Sequence, residues 1–249
     1  MRGNSDRFFL PNGAGEERLV IDDKDRLRQW HKVMRLGVGD RVRLFDGSGW
    51  EYQYAIDNMQ YASNKETNLT LIGKRYFEDK KSKIYLGFGV LKDQTRMEWM
   101  VEKCTELGVD GFVPILADNC QIVLKKMKTK NENLQMSKQD RLEKKIIEAC
   151  EQCGRVRVPE ILPIYRIDDL QKFENWQIIV LEKNVANEDV LKIVEGKNIL
   201  IFIGPEGGWS KREITLFGER KYCFLYVNEN ILRAETAAVA GVLWVSLIK

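Results

Sequence analysis

The sequence predicts a two-domain α/β protein, in which a small β barrel precedes a larger domain built on a parallel sheet. Residues 1–77 contain short alternating runs separated by glycine-rich turns. The chain after Lys83 contains wholly apolar runs separated by amphipathic stretches, which is typical of buried parallel strands alternating with helices. The charged stretch Glu78–Lys83 lies between the two regions. Because 249 residues suit two domains, we place them at residues 1–77 and 78–249.

The first domain shows a helix among several strands. Strands are predicted at Arg41–Phe45, Trp50–Ile56 and Asn68–Gly73, with a turn at Asp46–Gly49. Asp22 or Asp23 can cap the helix, and Gly37 can end it. The apolar residues on one side of this helix are Leu27, Trp30, Val33 and Met34. Several short strands and one helix in so short a stretch favour a small barrel.

The second domain alternates apolar strands with capped helices. The strands are predicted at Ile84–Leu91, Gly111–Leu116, Gln177–Leu181, Asn198–Ile203 and Phe224–Val227. Capping boxes at Thr95–Glu98 and Ser210–Glu213 begin two helices, and Ser137 begins another after a polar loop at residues 129–137. The first of these helices has an apolar face and is ended by Gly108; the face comprises Met97, Met100, Val101, Cys104 and Leu107. The helix that begins at Ser137 is ended by Gly154, and its apolar face comprises Leu142, Ile146, Ala149, Cys150 and Cys153. The apolar run Ala237–Ile248 is shorter than the roughly 20 residues that cross a bilayer, so we expect a buried helix.

The composition is that of a soluble globular protein with a weak basic balance. Charged residues make up 31% of the chain, and 40 Lys and Arg against 37 Asp and Glu give a net charge of +3. This excess is too small to establish a nucleic-acid partner. No stretch fits a signal peptide or a membrane span. Five scattered cysteines are typical of a reducing compartment, so we expect a cytoplasmic protein.

The sharpest local signal is the glycine-rich stretch Gly204–Ser210, GPEGGWS. It follows an apolar strand and precedes a capped helix, where open α/β sheets bind ligands. Its glycines allow a close approach of the backbone to a ligand, although an ordinary strand-to-helix turn would have the same pattern. It is not a phosphate loop, because the P-loop spacing is absent and Glu206 would repel a phosphate. The pattern favours a neutral or cationic ligand.

A second charged segment, Ile231–Ala237 (ILRAETA), lies between the last strand and the C-terminal helix. Arg233 and Glu235 are flanked by apolar residues, so both should be structured. They can hold a substrate at the end of the sheet, or they can form an ion pair with each other.

The cysteine pair Cys150 and Cys153 fits packing better than redox or zinc chemistry. The pair lies near a helix C-terminus, where the helix dipole opposes formation of a thiolate. Zinc would need about four ligands, and the only histidine, His31, lies in the other domain. The same scarcity of histidine argues against a Ser-His-Asp triad. His31 itself can be a surface contact or a half-buried packing residue.

Two groups of basic residues could bind RNA or simply be solvated. The first comprises residues 125–130 with Arg141, Lys144 and Lys145. The second combines cations and aromatic rings of the N-terminal domain, Arg2, Arg7, Arg35, Arg41, Arg43, Phe8, Phe9 and Trp50. Cations interleaved with aromatic rings are typical of surfaces that bind single-stranded RNA, so the second group is the better candidate.

Three stretches in order along the chain resemble the SPOUT methyltransferases, in particular the family of 16S ribosomal RNA uridine-N3 methyltransferases. They are Lys92–Val109 (KDQTRMEWMVEKCTELGV), Gly204–Ser210 and Ile231–Ala237, and Ala149–Arg155 and His31–Gly49 fit as well. The resemblance implies a PUA-like barrel for RNA and a Rossmann-like parallel sheet with a C-terminal deep trefoil knot. It also implies a homodimer that uses S-adenosyl-L-methionine (AdoMet), without a metal or a membrane, to methylate 16S rRNA of the small ribosomal subunit.

The resemblance also implies roles for particular residues. The loops Leu181–Asn184, Ile203–Gly208 and Val227–Leu232 would cradle AdoMet. The cofactor contacts implied are Leu181, Glu182, Ile203, Gly204, Pro205, Gly207, Gly208, Val227, Asn228, Ile231, Leu232 and Thr236. The RNA contacts implied are Arg7, His31, Arg35, Lys92, Arg96 and Arg155. This chain departs from the family at Asn228, where the family has glycine and where Asn can adopt positive φ, and at Asn230, where the family has arginine.

The reaction that the resemblance implies needs positioning and proton transfer. Arg233 would stabilise negative charge on the uracil carbonyl, and Glu206 or Glu235 would accept the N3 proton or orient the base. A non-catalytic RNA-binding or ribosome-assembly protein is the main alternative, which the two intact segments disfavour. A Rossmann dehydrogenase is disfavoured because no G-x-G-x-x-G follows the early strands.

Overall fold

The computed structural model describes residues 7–60, 66–120, 132–183 and 196–248. These residues form two compact units. The first unit comprises the described residues up to Asp79 together with Cys150–Val158, and the second unit comprises the remainder. Within the described part of the chain, no helix is both long enough and apolar enough to cross a membrane.

The first unit is built on a sheet whose five described strands have the order β1-β3-β4-β5-β2. The strands are β1 (Arg7–Phe9), β2 (Arg18–Ile21), β3 (Arg41–Phe45), β4 (Trp50–Gln60) and β5 (Glu66–Tyr76). β1 pairs in parallel with β3, and the other pairs are antiparallel. The three predicted strands are confirmed and the last two are longer than expected, whereas β1 and β2 carry too few residues to show an alternating pattern.

The helix of the first unit differs from its prediction. Asp23 caps α1 (Lys24–Arg28), and the chain continues as a π-helix over Gln29–Met34. Arg35, at φ 57°, ends the helix in the left-handed conformation, so the prediction that Gly37 ends it is wrong. Because the π-turn changes the residue spacing, Val33 is exposed and does not join the buried Leu27 and Trp30.

Two polar anchors tie residues 150–158 to the rest of the first unit. The guanidinium of Arg157 donates to the carbonyl oxygens of Ser48 and Phe77, at 2.8 and 2.9 Å. The carboxylate of Glu151 accepts the backbone N–H of Phe9 at 2.8 Å. Cys150 is buried, as predicted, but Cys153 is exposed, because it lies at the last residue of its helix where the buried face has ended.

The second unit contains a parallel sheet with the strand order β12-β10-β11-β6-β7-β8 in its described residues, and β9 also pairs with β7. The strands are β6 (Ile84–Gly89), β7 (Gly111–Leu116), β8 (Glu160–Ile161), β9 (Tyr165–Arg166), β10 (Gln177–Leu181), β11 (Ile199–Ile203) and β12 (Cys223–Leu225). The helices are α2 (Gln94–Glu106), α3 (Glu132–Cys153), a 3₁₀ helix (Ile167–Phe173), α4 (Lys211–Glu219) and α5 (Ala234–Ile248). This architecture confirms the α/β prediction.

Two helices of the second unit begin at residues other than those predicted. α2 is capped by Asp93, whose carboxylate accepts the N–H of Thr95 at 2.9 Å, so the predicted Thr95–Glu98 capping box is wrong. The extended backbone of Asp93 lets its carboxylate reach the free N–H groups, and the helix is therefore capped two residues earlier than Thr95 would cap it. α3 begins at Glu132, so Ser137 lies inside it and the predicted loop at residues 129–137 is helical from Glu132. The capping box of Ser210 and Glu213 at α4 is confirmed.

Candidate active site

The carboxyl ends of three neighbouring strands, β12, β10 and β11, enclose a cavity of about 210 Å³. Parallel strands present their carboxyl ends at one edge of a sheet, and ligands of open α/β sheets bind at that edge. The residues that line the cavity are Leu181, Glu182, Lys183, Ile203, Gly204, Gly208, Trp209, Leu225, Tyr226, Val227, Asn228, Asn230, Ile231, Leu232, Ala234 and Ala237. The cavity is therefore mainly apolar, with a few polar groups at its margin.

The glycine-rich stretch forms one wall of the cavity at the end of β11. Gly208 has φ 67°, and a Cβ added there would enter open space. At Gly204 an added Cβ would lie 3.3 Å from the Cα of Gly208, because the two ends of the turn come close together. Trp209 is buried directly after the turn, in the core under the sheet. Glycine at position 208 thus leaves room beside the backbone for a ligand.

Two residues after β7 hold this loop in place. The side-chain amide of Asn119 donates to the carbonyl oxygens of Gly207 and Gly208, each at 3.1 Å. The hydroxyl of Ser210 donates to the carboxylate of Asp118 at 2.6 Å. Sequence analysis missed both positions, although a polar pair directly after an apolar strand was a signal that could have found them. Asp118 and Asn119 are positioning residues for the loop.

A charged network continues from Asp118 to the start of α4. Arg212 donates two hydrogen bonds to Asp118, at 2.9 and 3.0 Å, and also pairs with Asp168 at 3.1 Å. The fully buried carboxylate of Glu213 accepts the N–H groups of Asp118 and Ser210, at 2.8 and 2.7 Å. Hydrogen bonds from Arg212 and Ser210 lower the pKa of Asp118 below its ordinary value. The end of the loop that leads into α4 is thus fixed by polar contacts.

Of the predicted catalytic carboxylates, Glu206 lines a charged depression together with Lys92, Asp93 and Arg96. The carboxylate of Glu206 accepts the backbone N–H of Lys92 at 3.0 Å. The carboxylate of Glu235 lies 3.8 Å from Nε of Arg96, so the partner of Glu235 is on α2 and not Arg233. Arg233 is exposed directly before α5. Arg233 precedes the first residue of α5, whereas Glu235 lies in its first turn, from which it approaches α2.

The structure places most of the implied cofactor contacts around the cavity. Leu181, Glu182, Ile203, Gly204, Gly208, Val227, Asn228, Ile231 and Leu232 line it. Three others do not. Pro205 lies against Gly89, Gly207 packs on Asn119, and Thr236 is exposed on α5. Asn184 lies outside the described residues. Lys183 and Asn230 also line the cavity and lie within two of the implied loops. Sequence reasoning did not assign Trp209, Leu225, Tyr226, Ala234 and Ala237 to the cofactor, and most of them are direct neighbours of predicted positions.

The loop after β12 reaches its shape differently from the prediction. Positive φ was expected at Asn228, but among the described residues other than glycine only Arg35 and Lys221 have positive φ. The side-chain oxygen of Asn228 instead accepts the N–H of Asn230 at 2.8 Å. Asn favours this Asx turn because its carbonyl reaches the backbone two residues on. The turn does not require a left-handed residue.

The implied RNA contacts have different surroundings. Lys92 and Arg96 lie at the charged depression. In the first unit His31 and Arg35 are exposed and Arg155 is half-buried. Arg7 pairs with Glu51 at 2.5 Å and only 14% of its side chain is exposed, so its charge is engaged in packing. Arg2 and residues 125–130 lie outside the described residues. Phe8 is buried against Trp30 and is a core residue, whereas Phe9 and Trp50 are half-buried.

The comparisons with known proteins agree with this arrangement of fold and cavity. Residues 78–246 match the family model for an RNA methyltransferase domain, and residues 32–59 match that for an RNA methyltransferase PUA domain. The chain is 30% identical to the ribosomal RNA small subunit methyltransferase E of Rickettsia conorii and 27% identical to that of Bacillus subtilis. The alignment with the Rickettsia protein covers 93% of each chain. The alignment with the Bacillus protein covers 82% of this chain and 80% of the Bacillus chain.

Two solved structures share the fold over nearly the whole chain. A ribosomal RNA small subunit methyltransferase E from Neisseria gonorrhoeae, bound to S-adenosyl methionine, has a TM-score of 0.81 at 24% identity and 98% coverage of both chains. A Legionella pneumophila protein in complex with the bound cofactor SAM has a TM-score of 0.80 at 25% identity, with 99% of this chain and 97% of that chain covered. The family model over residues 78–246 shows that this is a protein with an RNA methyltransferase domain. More particularly, the chain belongs to the ribosomal RNA small subunit methyltransferase E family.

Proposed function

We propose that this protein transfers a methyl group from AdoMet to N3 of a specific uridine in 16S rRNA of the small ribosomal subunit, in the cytoplasm. The observation that carries the proposal is the cavity at the ends of β10, β11 and β12, which lies beside the loops that contain Glu206 and Arg233. Membership of the family supports the reaction class. The SAM bound to the Legionella protein supports the choice of cofactor.

The cavity has the chemistry that AdoMet requires. Apolar side chains of Leu181, Ile203 and Leu232 suit an adenine ring, and the carboxylate of Glu182 suits ribose hydroxyls. The open space beside Gly208 leaves room for the cofactor against the backbone. These residues would hold AdoMet, and the chemistry it supplies is a methyl group on a positively charged sulfur. An apolar wall tolerates such a cation better when a carboxylate is near, as Glu182 is.

The charged residues would prepare the uracil for transfer. The N3–H must lose its proton, and the negative charge then spreads onto a neighbouring carbonyl oxygen. Arg233, exposed at the start of α5, is suited to stabilise that oxygen. Glu206 or Glu235 would accept the proton or hold the base, with Lys92 and Arg96 neutralising nearby phosphates. Holding the reacting atoms at about 3–3.5 Å can supply roughly 7–11 kcal/mol of the barrier reduction.

The reaction is tested by calorimetry with AdoMet and by mass spectrometry of rRNA nucleosides from cells that lack the gene. We expect AdoMet to bind and 3-methyluridine to disappear from 16S rRNA in those cells. Arg233→Ala should abolish methylation and change AdoMet affinity by no more than a few-fold, while Lys211→Ala, a change of another exposed cation, should be fully active. AdoMet binding without any methylation by the wild type would favour the non-catalytic RNA-binding alternative.

A homodimer is also part of the proposal. Trp99 of α2 and Leu243 and Leu247 of α5 are exposed apolar residues on two helices that pack together, and Leu247 is 77% exposed. Leu243 and Leu247 are four residues apart and share one face of α5, and exposed apolar residues on one helix face are typical of an association surface. Leu247→Glu should convert the dimer to a monomer in sedimentation experiments, and Ile72→Glu in the first unit should not. A wild-type monomer at all concentrations would contradict the dimer.

The remaining expectations belong to the same proposal. We propose the domain division at residues 77 and 78, RNA binding through His31 and Arg35 of the N-terminal domain and through Arg155, and a trefoil knot in the C-terminal domain. No cluster of metal ligands is present in the described residues, and the reaction proposed needs none. RNA binding by these three residues predicts weaker binding of rRNA to each alanine variant at unchanged AdoMet affinity.

A further inference from the structure

We propose that the ends of β4 and β5 form a stacking surface for an unpaired base of RNA. We define this aromatic face by Trp50, Tyr52, Lys74 and Tyr76. It is separate from the cavity, and of its four residues only Trp50 belongs to the group of cations and rings that the sequence suggested for RNA. The inference rests on the proposed function only in taking rRNA as the source of the base.

Strand pairing brings the four side chains together. Trp50 is opposite Tyr76 and Tyr52 is opposite Lys74 in the antiparallel pair of β4 and β5. Because side chains alternate along a strand, positions 50 and 52 share one side of the sheet, and positions 74 and 76 share it with them. Glu51 and Arg75 face the opposite side, where Glu51 pairs with Arg7. The aromatic face therefore has its own composition of three rings and one cation.

The rings form a continuous layer. The ring centroids of Trp50 and Tyr52 are 6.2 Å apart with planes 22° from parallel, and those of Trp50 and Tyr76 are 5.0 Å apart. The ring of Tyr52 lies on the backbone of Gly15, where an added Cβ would come within 2.8 Å of it. The Tyr76 hydroxyl accepts a hydrogen bond from Arg157 at 3.1 Å. The rings are thus held in place before any partner arrives.

The face is accessible and its cations suit a phosphate backbone. Tyr76 is 49% exposed, and Lys74 is exposed as well. The Lys74 ammonium is 5.2 Å from the Trp50 ring centroid, and the Arg157 guanidinium is 5.6 Å from that of Tyr76. Asp79 lies 3.7 Å from Arg157 and offsets part of its charge, whereas Lys74 remains on the face. Rings for bases beside a cation for phosphate are the combination that binds single-stranded nucleic acid.

The hydrophobic core of this unit does not account for the face. The core contains Tyr54, Leu69 and Val42, and among the rings of the face only Tyr52 packs against it. Trp50 and Tyr76 extend beyond that core to the end of the hairpin, where an aromatic pair is not needed to fill space. An aromatic pair with one exposed surface can instead stack with a base of any sequence, since every base has a π-face.

The test uses the full-length protein and a fluorescently labelled 12-nucleotide single-stranded RNA, with Kd measured by fluorescence anisotropy. Tyr76→Ala should weaken binding about tenfold, within the range expected from the loss of one stacked base, and Tyr76→Phe should bind within about twofold of wild type. Ile72→Ala, which truncates a side chain of β5 that is 45% exposed, is the matched control and should leave Kd unchanged. Lys74→Gln should lower the dependence of Kd on salt concentration.

The outcomes separate this inference from the proposed function. Wild-type binding with an unchanged Kd for Tyr76→Ala would overturn the stacking surface and leave the methyltransferase proposal standing. Equal weakening by Tyr76→Ala and Ile72→Ala would also overturn it, since the effect would then be one of general structure. Calorimetry with AdoMet on each variant should give the wild-type Kd. If wild type bound AdoMet but no RNA, the proposed RNA substrate would fail as well.

Discussion

Asn119 should control the affinity for AdoMet without touching the cofactor. In Asn119→Ala both hydrogen bonds to the carbonyl oxygens of Gly207 and Gly208 are lost. Each neutral hydrogen bond contributes about 0.5–1.5 kcal/mol, and the lower end applies because Asn119 is exposed and water can replace its amide. The expected loss is therefore about 1 kcal/mol in the free energy that orders the loop. Since Gly208 lines the cavity, most of that loss should appear in cofactor binding.

A loss of about 1 kcal/mol corresponds to roughly a fivefold weaker Kd, which calorimetry with AdoMet can measure. Asn12→Ala makes the same change at an exposed position of the first unit and is the control. The free energy of unfolding of both variants should be measured by urea titration. An unchanged AdoMet Kd in Asn119→Ala, with the unfolding free energy lowered, would refute the reasoning, because the contacts would then stabilise the fold without shaping the cavity.

Three other changes have expected outcomes. Gly208→Ala should weaken AdoMet binding and lower the free energy of unfolding by about 1–2 kcal/mol, because alanine is strained at positive φ. Gly39 also has positive φ and open space beside it, so Gly39→Ala should lower the free energy of unfolding and leave AdoMet binding unchanged. Calorimetry with AdoMet and urea titration of both variants measure the two effects. The exposed Cys153 should react first with Ellman's reagent at pH 8. Cys150 should stay unreactive until the protein unfolds, because burial raises the pKa of Cys150 to about 12. Fast labelling of the Cys153→Ser variant would contradict this expectation. Because the pKa of Asp118 is lowered in the folded protein, its charged carboxylate stabilises the fold above about pH 4, and this stabilisation is lost as the pH falls through the folded pKa. Asp118→Asn should therefore lower the free energy of unfolding by no more than about 1 kcal/mol at pH 7. In urea titrations at acid pH, the free energy of unfolding should decline less in Asp118→Asn than in the wild type.

The parallel sheet could be predicted from sequence because its signals are local. β11, with the sequence ILIFI, is buried at all five positions, and a short run of this kind is typical of a strand covered on both faces of a sheet. The capping box of Ser210 and Glu213 spans only four residues and was equally readable. The start of α2 was misread because Asp93 and Thr95 are both good capping residues, and the choice depends on the backbone angles of Asp93.

Parts of the site could not be predicted because they depend on contacts that are distant in sequence. Asn119 and Gly207 are 88 residues apart, so no local pattern reports their hydrogen bond. The same holds for the 3.8 Å approach of Arg96 and Glu235, which replaced the local pair that spacing suggested. The three cavity loops were implied by the family resemblance, and only the stretch Gly204–Ser210 was also predicted from its position after a strand. The contacts that support these loops come from residues after β7 and from α2, and only the fold shows which loop each of them contacts.

The loop after β12 shows how a departure from the family pattern can preserve a site. Where the family has glycine, Asn228 supplies a side-chain carbonyl that accepts the Asn230 N–H. This bond stabilises the turn from the side chain, so the backbone does not need the conformation that glycine permits. Asn228 and Asn230 still line the cavity with Ile231 and Leu232. Asn230 has no charge, and in the function proposed here Arg233, three residues on, is the residue that carries positive charge toward the substrate.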